Sequence, residues 1–246
     1  MGTESDLNKN NYIDKLKEKE ALELIINNQY ESFKALKMAV PDIIISVNEI
    51  YKRLNKSSSG RIVYVGAGSS GRIGVQDGVE LYPTFGWDKN RLDYVIAGGE
   101  KALINSVEGA EDNEIDGKNQ VLAKKITAKD VVIGITASGS TPFTVSFINE
   151  ARKRGALTVG ISNNLDTSIQ KVSEIGIMLD TGAEVISGST RLKAGTSQKI
   201  CLNAISTMLM IKFERVKNGQ MIFMKDSNKK LRLRRKKIDS LLKIKT

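Results

Sequence analysis

Two short stretches of glycine and serine carry residue types suited to holding an anion. The first is Gly66-Ala67-Gly68-Ser69-Ser70-Gly71, and the second is Ala137-Ser138-Gly139-Ser140-Thr141-Pro142. Glycine lets the backbone turn sharply and lets a ligand approach it closely. Serine and threonine hydroxyls add donors. A helix that starts at such a loop adds free backbone N–H groups and the positive end of its dipole. Carboxylates near the loops supply a second kind of chemistry, one as acid and one as base, if their surroundings separate their pKa values. Glu80, Glu108, Glu111 and Asp112 are placed for this. From composition alone each is better read as a surface acid, as most glutamates are. Arg191 and Lys193 open a long apolar run, where a cation opposes the helix dipole. A nearby anion would explain them, and so would plain surface exposure.

Composition narrows the chemistry further. The chain has no histidine and one cysteine, which removes Ser-His-Asp and Cys-His catalysis and histidine-ligated zinc. Any general acid or base is therefore Glu, Asp, Lys, Tyr or Cys. Cys201 lies in an apolar helical run and reads as a buried structural thiol. A lone cysteine forms no internal disulfide and fits a reducing cytoplasm. No run of ~18 apolar residues exists, so no membrane span is expected, and the polar start of the chain is no signal peptide. The net charge of +10 suggests nucleic acid at first sight. However, residues 217–246 hold eleven Lys/Arg against two Asp/Glu, so +9 of it lies in that tail. Phe223 stands near its start, but no aromatic residue is interleaved in the Lys/Arg-rich run 229–245 for base stacking, so the tail reads as a solvated basic helix, with an anion-binding arm as the alternative. Neither a nucleic-acid nor a membrane partner is expected.

The elements that must position these loops follow from hydrophobic patterning. Ile62–Val65 and Val131–Thr136 are apolar runs that read as buried parallel strands, each leading into a Gly/Ser loop and a helix. Further strands are expected at Leu92–Ala97, Ala156–Ser162 and Glu174–Met178. Helices are expected over residues 4–25, over 31–56 with a break or restart at Pro41, after each Gly/Ser loop, near Ile115–Lys124, and from Ser187–Thr190 to about Val216. Pro83–Gly86 reads as a turn, and a short helix is expected from Lys101 towards Asp112. With 40% hydrophobic residues in 246 there is material for a real core. Alternating strands and helices give a doubly wound α/β fold with a parallel five-stranded sheet, and ligands bind such sheets beyond the carboxyl ends of the strands. The expected division is an N-terminal helical segment at 1–56, the α/β domain at 57–216 and the basic tail at 217–246.

Gly66-x-Gly68-x-x-Gly71 also matches the dinucleotide fingerprint. Yet the second strand closes on Ala97-Gly98-Gly99 with no acidic residue clearly placed at its end, and a dinucleotide needs no second serine loop.

Taken together, Gly66–Gly74, Pro83-Thr-Phe-Gly86, Ala97-Gly-Gly99, Val107-Glu-Gly-Ala-Glu-Asp112, Ala137-Ser-Gly139 with Thr141-Pro142, and Gly188-Ser-Thr-Arg-Leu-Lys-Ala-Gly-Thr196 resemble the sugar isomerase (SIS) fold. Within that fold they resemble the N-acetylmuramic acid 6-phosphate etherases, over roughly residues 3 to 235, with Thr3-Glu4 and Ile13-Asp14 at the family's spacing. The resemblance implies cleavage of the lactyl ether of a phosphorylated amino sugar by elimination and water addition, without metal or cofactor, in a homodimer whose sites lie near the interface. It implies Glu80 as the acid for lactate departure and Glu111 as the base at sugar carbon 2. Ser69, Ser70, Ser138, Ser140, Thr141, Ser189 and Lys193 would hold phosphate or sugar. The chain departs from the family at Val79, Leu81, Tyr82 and Ser140, and at Asp6-Leu7-Asn8. It has no counterpart of the family's C-terminal helical extension. Two other readings stand beside the etherase: a non-catalytic phosphosugar-binding SIS regulator, and a phosphosugar isomerase. Retention of both glutamates favours the etherase over the regulator, and the E-G-A-E-D run favours it over the isomerase.

Overall fold

A computed structural model describes residues 2–5, 12–225 and 229–242. Asp6-Leu7-Asn8 therefore lies outside the described residues. After a 3-10 turn at Ile13–Lys15 come three helices: α1 (Glu18–Asn28), α2 (Tyr30–Met38) and α3 (Val40–Asn55). Of the expected helix over residues 4–25, residues 6–11 lie outside the described residues; within the rest, α1 begins at Glu18 and runs past the expected end to Asn28. Pro41 restarts the chain as expected. It sits in the first turn of α3, where a missing N–H is harmless.

The α/β units follow: β1 (Ile62–Gly66), α4 (Gly68–Val79), α5 (Leu81–Phe85), β2 (Leu92–Ile96), α6 (Glu114–Ala123), β3 (Val131–Ile135), α7 (Pro142–Lys153), β4 (Leu157–Ser162), α8 (Ser168–Val172) and β5 (Ile175–Met178). The expected turn at Pro83–Gly86 is instead the end of α5, closed by the left-handed Gly86 (φ 62°). The long helix α9 runs Lys193–Lys212, starting later and stopping earlier than its apolar pattern suggested. A small hairpin, β6 (Val216–Lys217) with β7 (Gln220–Met221), then leads to the basic helix α10 (Lys229–Leu242). Helix α10 folds back on the segment just before it: Ile238 is buried, and the Arg235 guanidinium donates to the carbonyls of Ile222 and Met224.

The five strands are all parallel, in the order β2-β1-β3-β4-β5. Side chains alternate between the two faces of each strand. Ile62, Tyr64, Val131, Ile133, Leu157 and Val159 join the core under α2, α3 and α9. Val63, Val65, Val132 and Val95 join the core with Phe143, Phe147 and Ile148 of α7. Both faces are covered, which is why the strands read as continuous apolar runs rather than as alternating ones. Arg61 fixes the register at the amino ends, bonding Asp130 at 3.0 Å and Asp93 at 3.4 Å.

This order sets the site. β1 and β3 are neighbours, with Gly66 opposite Ile135, so their following loops emerge side by side. The chain leaves β1 for one edge of the sheet and leaves β3 for the other. A crevice opens between loops that diverge in this way.

Candidate functional site

The two Gly/Ser loops line one cleft of about 380 Å³. Its walls include Ser69 and Ser70 from the first turn of α4, Thr136, Ser138, Ser140 and Thr141 from the loop after β3, and Glu111, Asp112 and Glu4. Among the described residues no lysine or arginine lines it, so an anion there relies on hydroxyls and on the backbone N–H groups that open α4. The N-cap of that helix is Ala67, whose side chain makes no capping bond, so the orphan donors of the first turn face the cleft unspent. The loop can lie this close to the strand because Gly71 carries no side chain. A Cβ there would come within 2.9 Å of Ile96 and 3.0 Å of the Gly66 carbonyl.

The loop after β3 is organised by its own hydroxyls. Thr136 Oγ1 lies 2.7 Å from Thr141 Oγ1 and 3.2 Å from Ser138 Oγ. The N–H of Gly139 donates to Thr136 Oγ1, and that of Ser140 to Ser138 Oγ, each at 3.2 Å. Helix α7 then begins at Pro142, which has no N–H to offer.

Glu111 lies in a 3-10 turn, Ala110–Asp112, and is exposed to the cleft. It also borders an adjoining lobe of about 410 Å³, lined by Arg72, Asn105, Ser106, Glu108 and Ala67–Ser69. The run from Lys101 to Asp112 forms two 3-10 turns, Glu100–Leu103 and Ala110–Asp112, rather than a helix, and the loop between them is held by Arg72. That guanidinium donates to the carbonyls of Ala102, Leu103 and Asn105 at 2.9, 3.1 and 2.9 Å.

Of the site residues named by the resemblance, three do not line the cleft, and neither do the further candidates Glu108 and Arg191. Glu80 caps the far end of the twelve-residue α4, about 18 Å along the helix from Gly68, and is exposed. Ser189 sits between two cleft residues, Gly188 and Thr190. Lys193 is 1% exposed, at the start of α9. Glu184, also fully buried, caps that helix: its carboxylate accepts from the backbone N–H groups of Lys193 and Ala194 at 3.2 and 2.9 Å. Burial lowers the Lys193 pKa and raises that of Glu184. The N-terminus of α9 is thus occupied from within the protein. Cys201 is buried on the same helix, and burial pushes its thiol up to about 12.

From the sequence, Thr136, Thr190 and Glu4 carried no site role, although Thr190 and Glu4 stand in motifs that carry the resemblance. Thr136 was legible as a strand end. Glu4 reaches the cleft by a long-range contact that no local pattern announces. Among the described residues no group of three or more His, Cys, Asp or Glu side chains could hold a metal ion.

Comparison with known proteins supplies the family. Residues 42–152 match the model of the glucokinase regulatory protein N-terminal SIS domain, and residues 110–209 match the SIS domain model. The chain is 42% identical over 214 residues to the N-acetylmuramic acid 6-phosphate etherase of Deinococcus radiodurans, covering 87% of this chain and 70% of that protein. It is 41% identical to the etherase of Mycoplasma mycoides, covering 95% of this chain and 77% of that one. The chain belongs to the N-acetylmuramic acid 6-phosphate etherase family. Solved structures extend the etherase's fold to more distant proteins. A protein from E. coli CFT073 aligns with TM-score 0.58 at 16% identity, over 83% of this chain and 97% of its own. A phosphoheptose isomerase from Francisella tularensis aligns with TM-score 0.55 at 18% identity, over 78% and 98%. At such identities the likeness to these structures is one of fold alone. The five-stranded parallel sheet of this etherase-family chain is the SIS fold.

Proposed function

We infer that this chain is a lyase that cleaves the D-lactyl ether of N-acetylmuramic acid 6-phosphate, giving N-acetylglucosamine 6-phosphate and D-lactate. The observation that carries the reading is Glu111 on the wall of the cleft that joins both serine loops, in a chain 41–44% identical to several etherases. The phosphate would sit at the first turn of α4 against Ser69 and Ser70, with Ser138, Ser140 and Thr141 completing its cradle. Ring opening comes first, because the proton at carbon 2 becomes acidic only beside an aldehyde. Glu111 takes that proton, the carbon 3–oxygen bond breaks, and lactate leaves with a proton from Glu80. Water then adds at carbon 3, its proton returning to carbon 2. Two carboxylates suffice for acid–base work of this kind, which fits a chain without histidine.

The same reading needs a second copy of the chain. Within one chain Glu80 lies outside the cleft, so the acid has to come from a partner. The N-terminal helices offer a surface for that partner: Leu22, Ile26, Tyr30 and Phe33 run along α1 and α2, and Met38, Ile44 and Ile45 continue the strip, all of them large and exposed. A homodimer would cover this surface and bring one protomer's Glu80 to its partner's Glu111. Light scattering should report a dimer at micromolar concentration, and a monomer that still releases lactate would overturn the arrangement. Ser189 and Lys193, expected to hold phosphate or sugar, are assigned in this reading to the support of the Gly188–Thr190 wall instead. A phosphorylated sugar substrate and a single buried thiol both fit a cytoplasmic enzyme of peptidoglycan recycling.

The second reading, a phosphosugar-binding regulator without chemistry, is favoured only by the distance of Glu80 from the cleft. Incubation with N-acetylmuramic acid 6-phosphate and assay of D-lactate separates the two. Release supports the lyase. Tight binding without release supports the regulator.

A further inference from the structure

The N-terminal residues form a short strap across the edge of the cleft. Thr3 is fully buried. Its N–H donates to Asn164 Oδ1 at 2.9 Å, and Asn164 Nδ2 donates back to Thr3 Oγ1 at 3.0 Å. The same Nδ2 group donates to the Ala137 carbonyl at 2.9 Å, which ties the strap to the loop after β3. On the other side Gly188 N–H donates to the Thr3 carbonyl at 3.3 Å, and Ser187 Oγ to the Glu4 carbonyl at 2.9 Å. A segment pinned from both sides in this way holds the next side chain, Glu4, in a defined place. That side chain lines the cleft. Its carboxylate lies over Gly188, where a Cβ would come within 2.7 Å of Oε2, so glycine at 188 makes room for it. Among the described residues Glu4 has neither a hydrogen-bond partner for its carboxylate nor an ion pair.

A carboxylate on the wall of an anion site opposes the anion unless it faces a different part of the ligand. Ionised, it can only accept hydrogen bonds, so the matching part of the ligand has to donate them. A phosphate monoester is largely dianionic at neutral pH and is a poor source of such donors, whereas an amino sugar offers hydroxyls and an amide N–H. We propose that Glu4 is a substrate-contacting residue that accepts hydrogen bonds from the hydroxyl or amide donors of the sugar, at the part of the cleft away from the phosphate. The proposal rests on the reading of the cleft as a phosphorylated amino-sugar site. It assigns to the N-terminal strap the selection of a sugar phosphate over a bare phosphate.

The test compares Glu4→Gln and Glu4→Ala with the unaltered chain, using inorganic phosphate, N-acetylglucosamine 6-phosphate and N-acetylmuramic acid 6-phosphate as probes. Loss of a charged hydrogen-bond acceptor should weaken N-acetylglucosamine 6-phosphate binding by about tenfold or more in calorimetry. KM for the muramic substrate should rise by a similar factor while kcat stays within about threefold, the signature of lost binding common to ground and transition states. Affinity for inorganic phosphate should stay the same or improve, since a repelling charge is gone. Unchanged sugar-phosphate affinity would overturn the proposal, as would parallel weakening of both ligands, which marks the strap as a structural closure only. Glu4→Gln keeps the shape of the side chain and every bond that pins Thr3, so its melting temperature should match that of the parent. If no protein, the parent included, releases lactate, the lyase reading fails while the binding comparison still decides the role of Glu4.

Discussion

The loops after β1 and β3 share a sequence pattern, an apolar strand followed by glycine and serine, yet their chemistry differs. In the first, Ser69 and Ser70 make no side-chain hydrogen bond among the described residues, and α4 starts with no capping side chain. In the second, the hydroxyls of Thr136, Ser138 and Thr141 are bonded to one another, and α7 starts on a proline. A ligand meets open donors on one side and a pre-arranged hydroxyl network on the other. The anchoring differs in parallel. Helix α7 is fixed by the fully buried Phe143 and Phe147, while α4 is set by close packing at glycines. Similar composition thus produces one loop ready for charge and one rigid wall that shapes the site.

The anchoring contrast gives the largest expected effect. Phe147→Ala empties a fully buried position and should lower stability by about 3–5 kcal/mol, read by chemical denaturation. If the cost is below about 1 kcal/mol, the second loop does not rest on that core. Next comes binding. Ser70→Ala should weaken phosphosugar affinity by about 1–3 kcal/mol, because an open donor to a charged group is lost. Ser138→Ala should cost less, near ~1 kcal/mol, because its hydroxyl is already engaged and Thr136 and Thr141 keep their bond. Calorimetry showing the reverse order would invert the comparison. The smallest effect is on pH dependence. Burial pushes Tyr94 and Cys201 up to about 12, from ordinary values of 10.0 and 9.0. Both folded groups hold their protons where the unfolded ones lose them. Their contribution to stability is therefore complete below about pH 9 and is lost as pH rises towards 12, so the melting temperature should fall on that side. A flat profile there would remove the contribution.

Much of this was legible in the sequence, for physical reasons that vary by residue. Strands buried on both faces announce themselves as apolar runs, and all five lie within a residue or two of their expected ends. The serine loops were visible because glycine at 66, 68 and 71 has few other uses after a buried strand. The α5 helix was missed because Pro83 and Gly86 resemble turn residues, whereas the proline lies in the first turn of the helix and the glycine closes it. The capping of α9 by the buried Glu184, and the strap that brings Glu4 to the cleft, depend on tertiary contacts that local patterns do not encode. Glu80 and Glu111 belong together in the resemblance, but one chain holds them apart.

The central claim is that Glu111 is the base at carbon 2 and Glu80 the acid for lactate departure. The most direct measurement follows both lactate release and exchange of the carbon 2 hydrogen with solvent deuterium. Glu111→Gln should lose both by at least about 10²-fold, the scale of general acid–base catalysis, while Glu80→Gln should lose release by a similar factor and retain exchange. Exchange that persists in Glu111→Gln would contradict the assignment.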